Sequence, residues 1–245
     1  MFRNFFSKPK KSVNCEPRPN NAEPYILLLH YTGMQSASAA LERMTDPSSK
    51  VSAHYMIDED GARTLLVDEE FRAWHAGASF WAGEDDINSY SIGVEIVNPG
   101  HEWGYRPFPQ VQMDAVLQLC QEIMTRHDIR YVLAHSDVAP ERRYDPGELF
   151  DWTLLAENGV GILPAPTSKD YEEAKHLSVN DFEVEKLFVK YGYNPMTAFV
   201  DVVTAFHRHY YPKAFEGGHE GEVCEETVAR LLSLIRLQKE KGFRE

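Results

Sequence analysis

Cysteine is scarce in this 245-residue chain. Cys15, Cys120 and Cys224 are widely spaced, and no CxxC pair occurs. That pattern excludes a disulfide framework and argues against a thiolate-bound metal cluster. No run is apolar for long enough to span a bilayer. The opening MFRNFFSKPKKSVNCEP holds cations but lacks the apolar stretch of a secretory signal. The expected compartment is therefore the cytoplasm, with the periplasm or cell envelope as the alternative. Positive charge is also in deficit: 25 Lys and Arg stand against 38 Asp and Glu, a formal net charge of −13. An acidic surface repels phosphate backbones and anionic lipid, so neither nucleic acid nor membrane is an expected partner. No HExxH helix is present, which counts against the common metallopeptidase arrangement. No internal repeat is evident.

What remains is ordinary globular material, 43% hydrophobic and 26% charged, long enough for one sizeable domain and a small one. Residues 1–22 are polar and proline-bearing and are expected to be loosely ordered. Tyr25 to His30 (YILLLH) reads as a strand buried on both faces. Ser36 is placed to cap a helix through Met44. A hairpin is expected around Asp58-Glu59-Asp60-Gly61, and Ser91 to Val97 (SIGVEIV) is a second central strand. A long loop follows over 98–109, rich in Gly, Pro and aromatics, of a length that is usually functional or disordered. Val111 to Arg126 has helical spacing, with Cys120 on its apolar face, and Tyr131 to His135 (YVLAH) is a further strand. Strands interleaved with helices predict an α/β fold over 23–164, a mixed central sheet flanked by helices. Residues 165–180 read as a linker. A three-helix module is expected over 181–245, its buried faces including Val184, Phe188, Val200, Val203, Phe206, Val228 and Leu231.

Two histidines end apolar strands, His30 and His135, and Asp145 follows in the turn Asp145-Pro146-Gly147. Two imidazoles and one carboxylate make a three-ligand site with an open position, the way catalytic zinc is held. From spacing alone, three unrelated polar residues at strand ends explain the same pattern. Asp137 is a rival carboxylate that the sequence does not rank below Asp145. Glu95 interrupts an otherwise apolar strand and shares a face with Gly93 and Val97. A buried carboxylate there is either a general base with a tuned pKa or the partner of an arginine. Ala73-Trp74-His75-Ala76-Gly77 sets an aromatic and an imidazole in a turn, lining a pocket or packing in the core. His54 is a candidate to support the site from behind. His207 and His209 are expected to be solvated.

Five segments taken together resemble one family. They are LLLHYTGM (27–34), VSAHYMIDEDG (51–61), AWHAG (73–77), DINSYSIGVEIVNPGHEWGYRPFP (86–109) and AHSDVAPERRYDPGELFDW (134–152). Together they resemble the AmpD-like N-acetylmuramoyl-L-alanine amidases of the peptidoglycan-recognition fold. The resemblance covers roughly residues 20–164 and implies Zn2+ on His30, His135 and Asp145, with Glu95 as the catalytic glutamate. It implies peptidoglycan fragments (muropeptides) as substrate, cut between muramic acid and L-alanine in cell-wall turnover or recycling. Where the family usually has a lysine this chain has Arg143, which keeps a cation but has no accessible neutral form. Trp74, His75, His54 and Asn98 are then candidates for substrate contact. The helical tail resembles a peptidoglycan-binding module. A non-catalytic peptidoglycan sensor on the same scaffold is the alternative; it typically lacks a metal ligand, whereas all three positions here are competent.

Overall fold

The computed structural model describes residues 11–243. Within them lie seven strands: β1 (Cys15–Pro17), β2 (Ile26–Tyr31), β3 (Tyr55–Ile57), β4 (Arg63–Leu65), β5 (Phe71–Ala73), β6 (Ser91–Ile96) and β7 (Tyr131–Ala134). The helices are α1 (Ala37–Thr45), α2 (Ile87–Tyr90), α3 (Gly100–Trp103), α4 (Gln110–Met124) and α5 (His135–Val138). The chain continues with α6 (Trp152–Glu157), α7 (Ser168–Leu177), α8 (Asp181–Tyr191), α9 (Phe199–Tyr210) and α10 (Glu225–Glu240). Five strands form a mixed sheet in the order β4-β3-β6-β2-β7, parallel except for the β3–β4 hairpin. The hairpin turns at Gly61, whose φ of +83° favours a residue without a Cβ. The fold class read from the sequence is the one found.

The apolar run of β2 is explained by what covers it. Leu27 and Leu29 face a core shared with Val116, Leu119, Cys120 and Ile123 of α4. Ile26 and Leu28 face the opposite core, with Phe188, Tyr191, Tyr193 and Phe206 from the C-terminal helices. Fully burying such a side chain contributes about 1.5–3 kcal/mol, so register here is strongly fixed. The same alternation places His30 on the face of Ile26 and Leu28. Pairing His30 with Glu95 across β2 and β6 sets Glu95 on that face too. His135 follows directly after β7 on the other side of β2. Three candidate site residues thus stand at the C-terminal ends of three adjacent parallel strands.

Five expectations need correction. Residues 11–22 are tied down rather than loose, because their polar side chains serve backbone groups of the body. Ser12 Oγ donates to Met44 O at 2.6 Å, and Asn14 donates to Asp46 O at 2.8 Å and Val51 O at 2.9 Å. Arg18 donates to Ser89 O at 2.6 Å and Ser91 O at 2.9 Å. The remainder of that expectation, residues 1–10, lies outside the described residues. The expected linker contains α7, which carries little apolar surface. It starts at a capping box in which Thr167 Oγ1 and the Asp170 carboxylate each accept the other residue's backbone N–H. His207 and His209 are buried, not solvated, because α9 is covered on nearly every side. Val200, expected on a buried face, is 55% exposed. The helical region also shares its core with the sheet, so the expected boundary near residue 181 does not divide the packing.

Candidate metal centre and active site

His30, His135 and Asp145 converge. Nδ1 of His30 lies 2.8 Å from Nδ1 of His135, and Oδ2 of Asp145 lies 3.0 Å from each. All three residues are buried, and they form a group able to hold a metal ion. Asp145 reaches the two strand ends because its loop folds back, with Ser136 N donating to Asp145 O at 3.1 Å.

Proton positions follow from the outer partners. His135 Nε2 meets Ala76 O at 2.9 Å; a carbonyl only accepts, so Nε2 carries a proton, and in the neutral ring that leaves Nδ1 bare. Ser91 donates its one hydroxyl proton to Ile87 O at 2.7 Å. Its oxygen must then accept from His75 Nε2, 3.3 Å away. His75 Nδ1 is left bare and accepts from His30 Nε2 at 3.1 Å, so His30 Nδ1 is bare as well. Two nitrogen lone pairs and a carboxylate oxygen therefore face one another with no proton among them. That donor set fits a cation, since metal ligands must be deprotonated. Burial, with His135 beside it, lowers His30 to about 4.

The AWHAG turn supplies the outer contacts of both histidines: the side chain of His75 for His30, and the carbonyl of Ala76 for His135. Asn88 Oδ1 holds the turn by accepting from His75 N at 3.0 Å and Ala76 N at 2.9 Å. Arg142 clasps it from the other side through Ala76 O and Ala78 O. His75 fits only because position 93 is glycine. A Cβ there would sit 2.5 Å from the His75 ring. Sequence reasoning missed Ser91, Asn88 and Arg142. Of the available signals, only Ser91 gave one, lying on the Gly93–Glu95 face of β6.

Glu95 is partly buried, and its Oε2 is fully buried with no hydrogen-bond partner among the described residues. Burial, and then Asp145, push its carboxyl well above the ordinary value, while Arg143 opposes the shift. Arg143 is exposed, and its side chain makes no hydrogen bond or ion pair among the described residues. Its charge also bears on His30.

The four expected substrate contacts are placed differently. His75 lies behind His30. His54 is completely buried, accepting from Gly93 N at 2.9 Å and donating to Phe71 O at 3.0 Å. Burial beside Arg18 lowers it to about 3. Asn98 is buried and pins its own loop, donating to Arg106 O at 2.8 Å and accepting from Gly100 N at 3.0 Å. Trp74 turns its indole towards Glu16, at 3.2 Å. The first three serve the scaffold because strand and turn positions face inward. Asp137 is no ligand either, since its carboxylate is taken up by Ala134, Tyr193 and His209.

Comparison with known proteins supplies the family. AmiD of Escherichia coli, an N-acetylmuramoyl-L-alanine amidase, is 32% identical over 219 residues, covering 80% of this chain and 78% of AmiD. Its complex with anhydro-N-acetylmuramic acid-L-Ala-D-gamma-Glu-L-Lys matches with a TM-score of 0.75 at 31% identity, over 89% of this chain and 91% of that one. AMPDH3 of Pseudomonas aeruginosa matches with a TM-score of 0.76 at 30% identity, over 91% of this chain and 95% of that one. The 1,6-anhydro-N-acetylmuramyl-L-alanine amidase AmpD of Haemophilus influenzae is 28% identical over 162 residues, covering 58% of this chain and 86% of AmpD. Residues 20–148 match the N-acetylmuramoyl-L-alanine amidase family itself, and the chain belongs to that family.

Proposed function

We propose that this chain hydrolyses the amide between N-acetylmuramic acid, or its 1,6-anhydro form, and the L-alanine of peptidoglycan stem peptides, using zinc. The observation that carries this reading is the convergence of donor atoms from His30, His135 and Asp145, with Glu95 paired to His30 across the strands. Two imidazoles and one carboxylate suit zinc with a position left open. The substrate assignment is supported by AmiD, whose complex holds an anhydro-muramyl tripeptide.

A zinc ion at this site supplies Lewis acidity and lowers the pKa of water. The remaining work falls to the chain. Glu95, with an unpartnered buried oxygen, accepts a proton from the attacking water and returns it to the departing alanine nitrogen. One water is consumed; the products are a carboxylic acid and an amine. Arg143 offers a guanidinium to the amide oxygen as negative charge develops there, and it gives up no proton.

Digestion of anhydro-muramyl tripeptide, followed by mass analysis, tests the bond. Release of the intact tripeptide is expected, and any cut within the stem peptide would overturn the assignment. Glu95→Gln should keep zinc and lose about 10²–10⁴-fold in turnover. Full activity in that variant, or after exhaustive chelation, would end the mechanism. Binding of muropeptide without turnover by the zinc-loaded protein would favour the sensing reading.

A further inference from the structure

Arg208 sits in α9, beyond the end of the family match at residue 148, and is only 7% exposed. A buried guanidinium is costly without partners. Its Nε lies 3.2 Å from Glu148 Oε2, and its plane covers the rings of Tyr144 at 5.1 Å and Phe215 at 4.8 Å. Glu148 passes the contact on, since Oε1 lies 3.2 Å from His101 Nε2. His101 Nδ1 in turn meets the Tyr31 hydroxyl at 2.9 Å, and the imidazole stacks on Tyr105 at 4.3 Å. The Tyr105 hydroxyl closes the network by donating to Pro146 O at 2.9 Å and accepting from Leu149 N at 2.9 Å.

The ends of this network are informative. Tyr31 directly follows His30, and Tyr144 directly precedes Asp145. His101 and Tyr105 belong to the 98–109 loop. Tyr144 is 50% exposed, so the assembly presents an aromatic face at the residue before Asp145, and the charge of Asp145 reaches the Tyr31 hydroxyl. One buried cation from the helical region therefore holds aromatic residues that adjoin two candidate metal ligands in the chain.

We propose that Arg208 is a positioning residue for substrate binding. Acting through Glu148 and His101, it fixes the 98–109 loop and the aromatic wall beside the metal site. The helical region is thereby a working part of the active site. The kinetic arm of the test rests on the amidase reading above; the structural arm does not.

Full-length protein and Arg208→Ala are compared by amide hydrogen exchange, zinc content and steady-state kinetics on anhydro-muramyl tripeptide. Exchange should quicken over 98–109 while β2 and β7 stay protected and zinc content stays unchanged. KM should rise about tenfold, with kcat within about twofold of the parent, the signature of lost binding without lost chemistry. The reversed pair Arg208→Glu with Glu148→Arg should recover part of both effects. If Arg208→Ala fails to fold, Arg208→Lys, which keeps the charge but loses the planar fork, takes its place in the same comparison. Unchanged exchange at 98–109 overturns the proposal, as does exchange that quickens equally across β2 and β7. An unchanged KM in an active enzyme also overturns it. If the parent protein cuts no muropeptide, the amidase reading fails, and the exchange result alone still decides whether Arg208 holds the loop.

Discussion

Asp137 and Asp145 are both buried carboxylates, both close to His135 in sequence, and their surroundings are opposites. Asp137 accepts from Ala134 N at 2.8 Å, from the Tyr193 hydroxyl at 2.9 Å and from His209 Nδ1 at 2.7 Å. Asp145 Oδ2 faces two imidazole nitrogens, each 3.0 Å away, and in the neutral tautomers set by His75 and Ala76 O neither has a proton to give. The buried histidines divide the same way. Each ring nitrogen of His207 has its own protein partner, Glu220 O and Thr227 Oγ1, both at 2.8 Å, whereas His30 and His135 turn bare nitrogens on each other. Burial and residue type do not tell a metal site from a structural network. The tally of donors against acceptors does.

The sharpest way to break this contrast is to remove each aspartate in turn. Asp145→Ala should abolish zinc binding and turnover in a protein that still folds. Asp137→Ala should leave zinc on the folded fraction but lower stability by about 3–5 kcal/mol, because His209 and Tyr193 lose a buried partner. Metal analysis and chemical denaturation of both variants read the two effects. Loss of zinc from Asp137→Ala at unchanged stability would reverse the assignment.

A smaller effect tests the proton arrangement. His75→Leu should weaken zinc binding by about 10–100-fold, measured by competition with a chromophoric chelator. His75→Asn retains an oxygen able to accept from His30 Nε2 and should regain part of that loss. Equal affinity in the two variants would mean that the acceptor on His30 Nε2 is immaterial.

The smallest expected effect concerns a third carboxylate, of the Asp137 kind. Burial pushes Glu69 up, yet Arg126, Tyr55 and His127 hold it at about 2 against an ordinary 4.5. A depressed folded value means stability that is complete above the unfolded pKa and is lost as pH falls from about 4.5 towards 2. Glu69→Gln should therefore lose on the order of 2 kcal/mol at neutral pH. Its stability should also fall less steeply between those pH values. An acid unfolding profile parallel to the parent's would remove Glu69 from the donor-satisfied class.

Much of the site was legible because strands have a period of two. The apolar runs before His30 and His135, and the lone carboxylate in SIGVEIV, put three candidate residues at strand ends before any contact was known. Asp145 could not be ranked over Asp137, because that choice depends on how a loop folds back, and a loop has no period to read. His75 and His54, offered also as substrate contacts, lie behind the site for a related reason: composition does not say which way a side chain points. Arg18 looked like part of a polar tail, yet it caps backbone carbonyls far along the chain. Only the sheet's geometry brings those carbonyls together. The α7 helix was hidden because its cap and its packing against α10 hold it, in place of an apolar stripe.

Gly93 shows how a residue with no reactive group can belong to the chemistry of a centre. The methyl it lacks is the niche that the neighbouring imidazole fills. The least elaborate residue in the strand thus governs which tautomer stands one ring further in. Ranking positions by the reactivity of their side chains would pass straight over it.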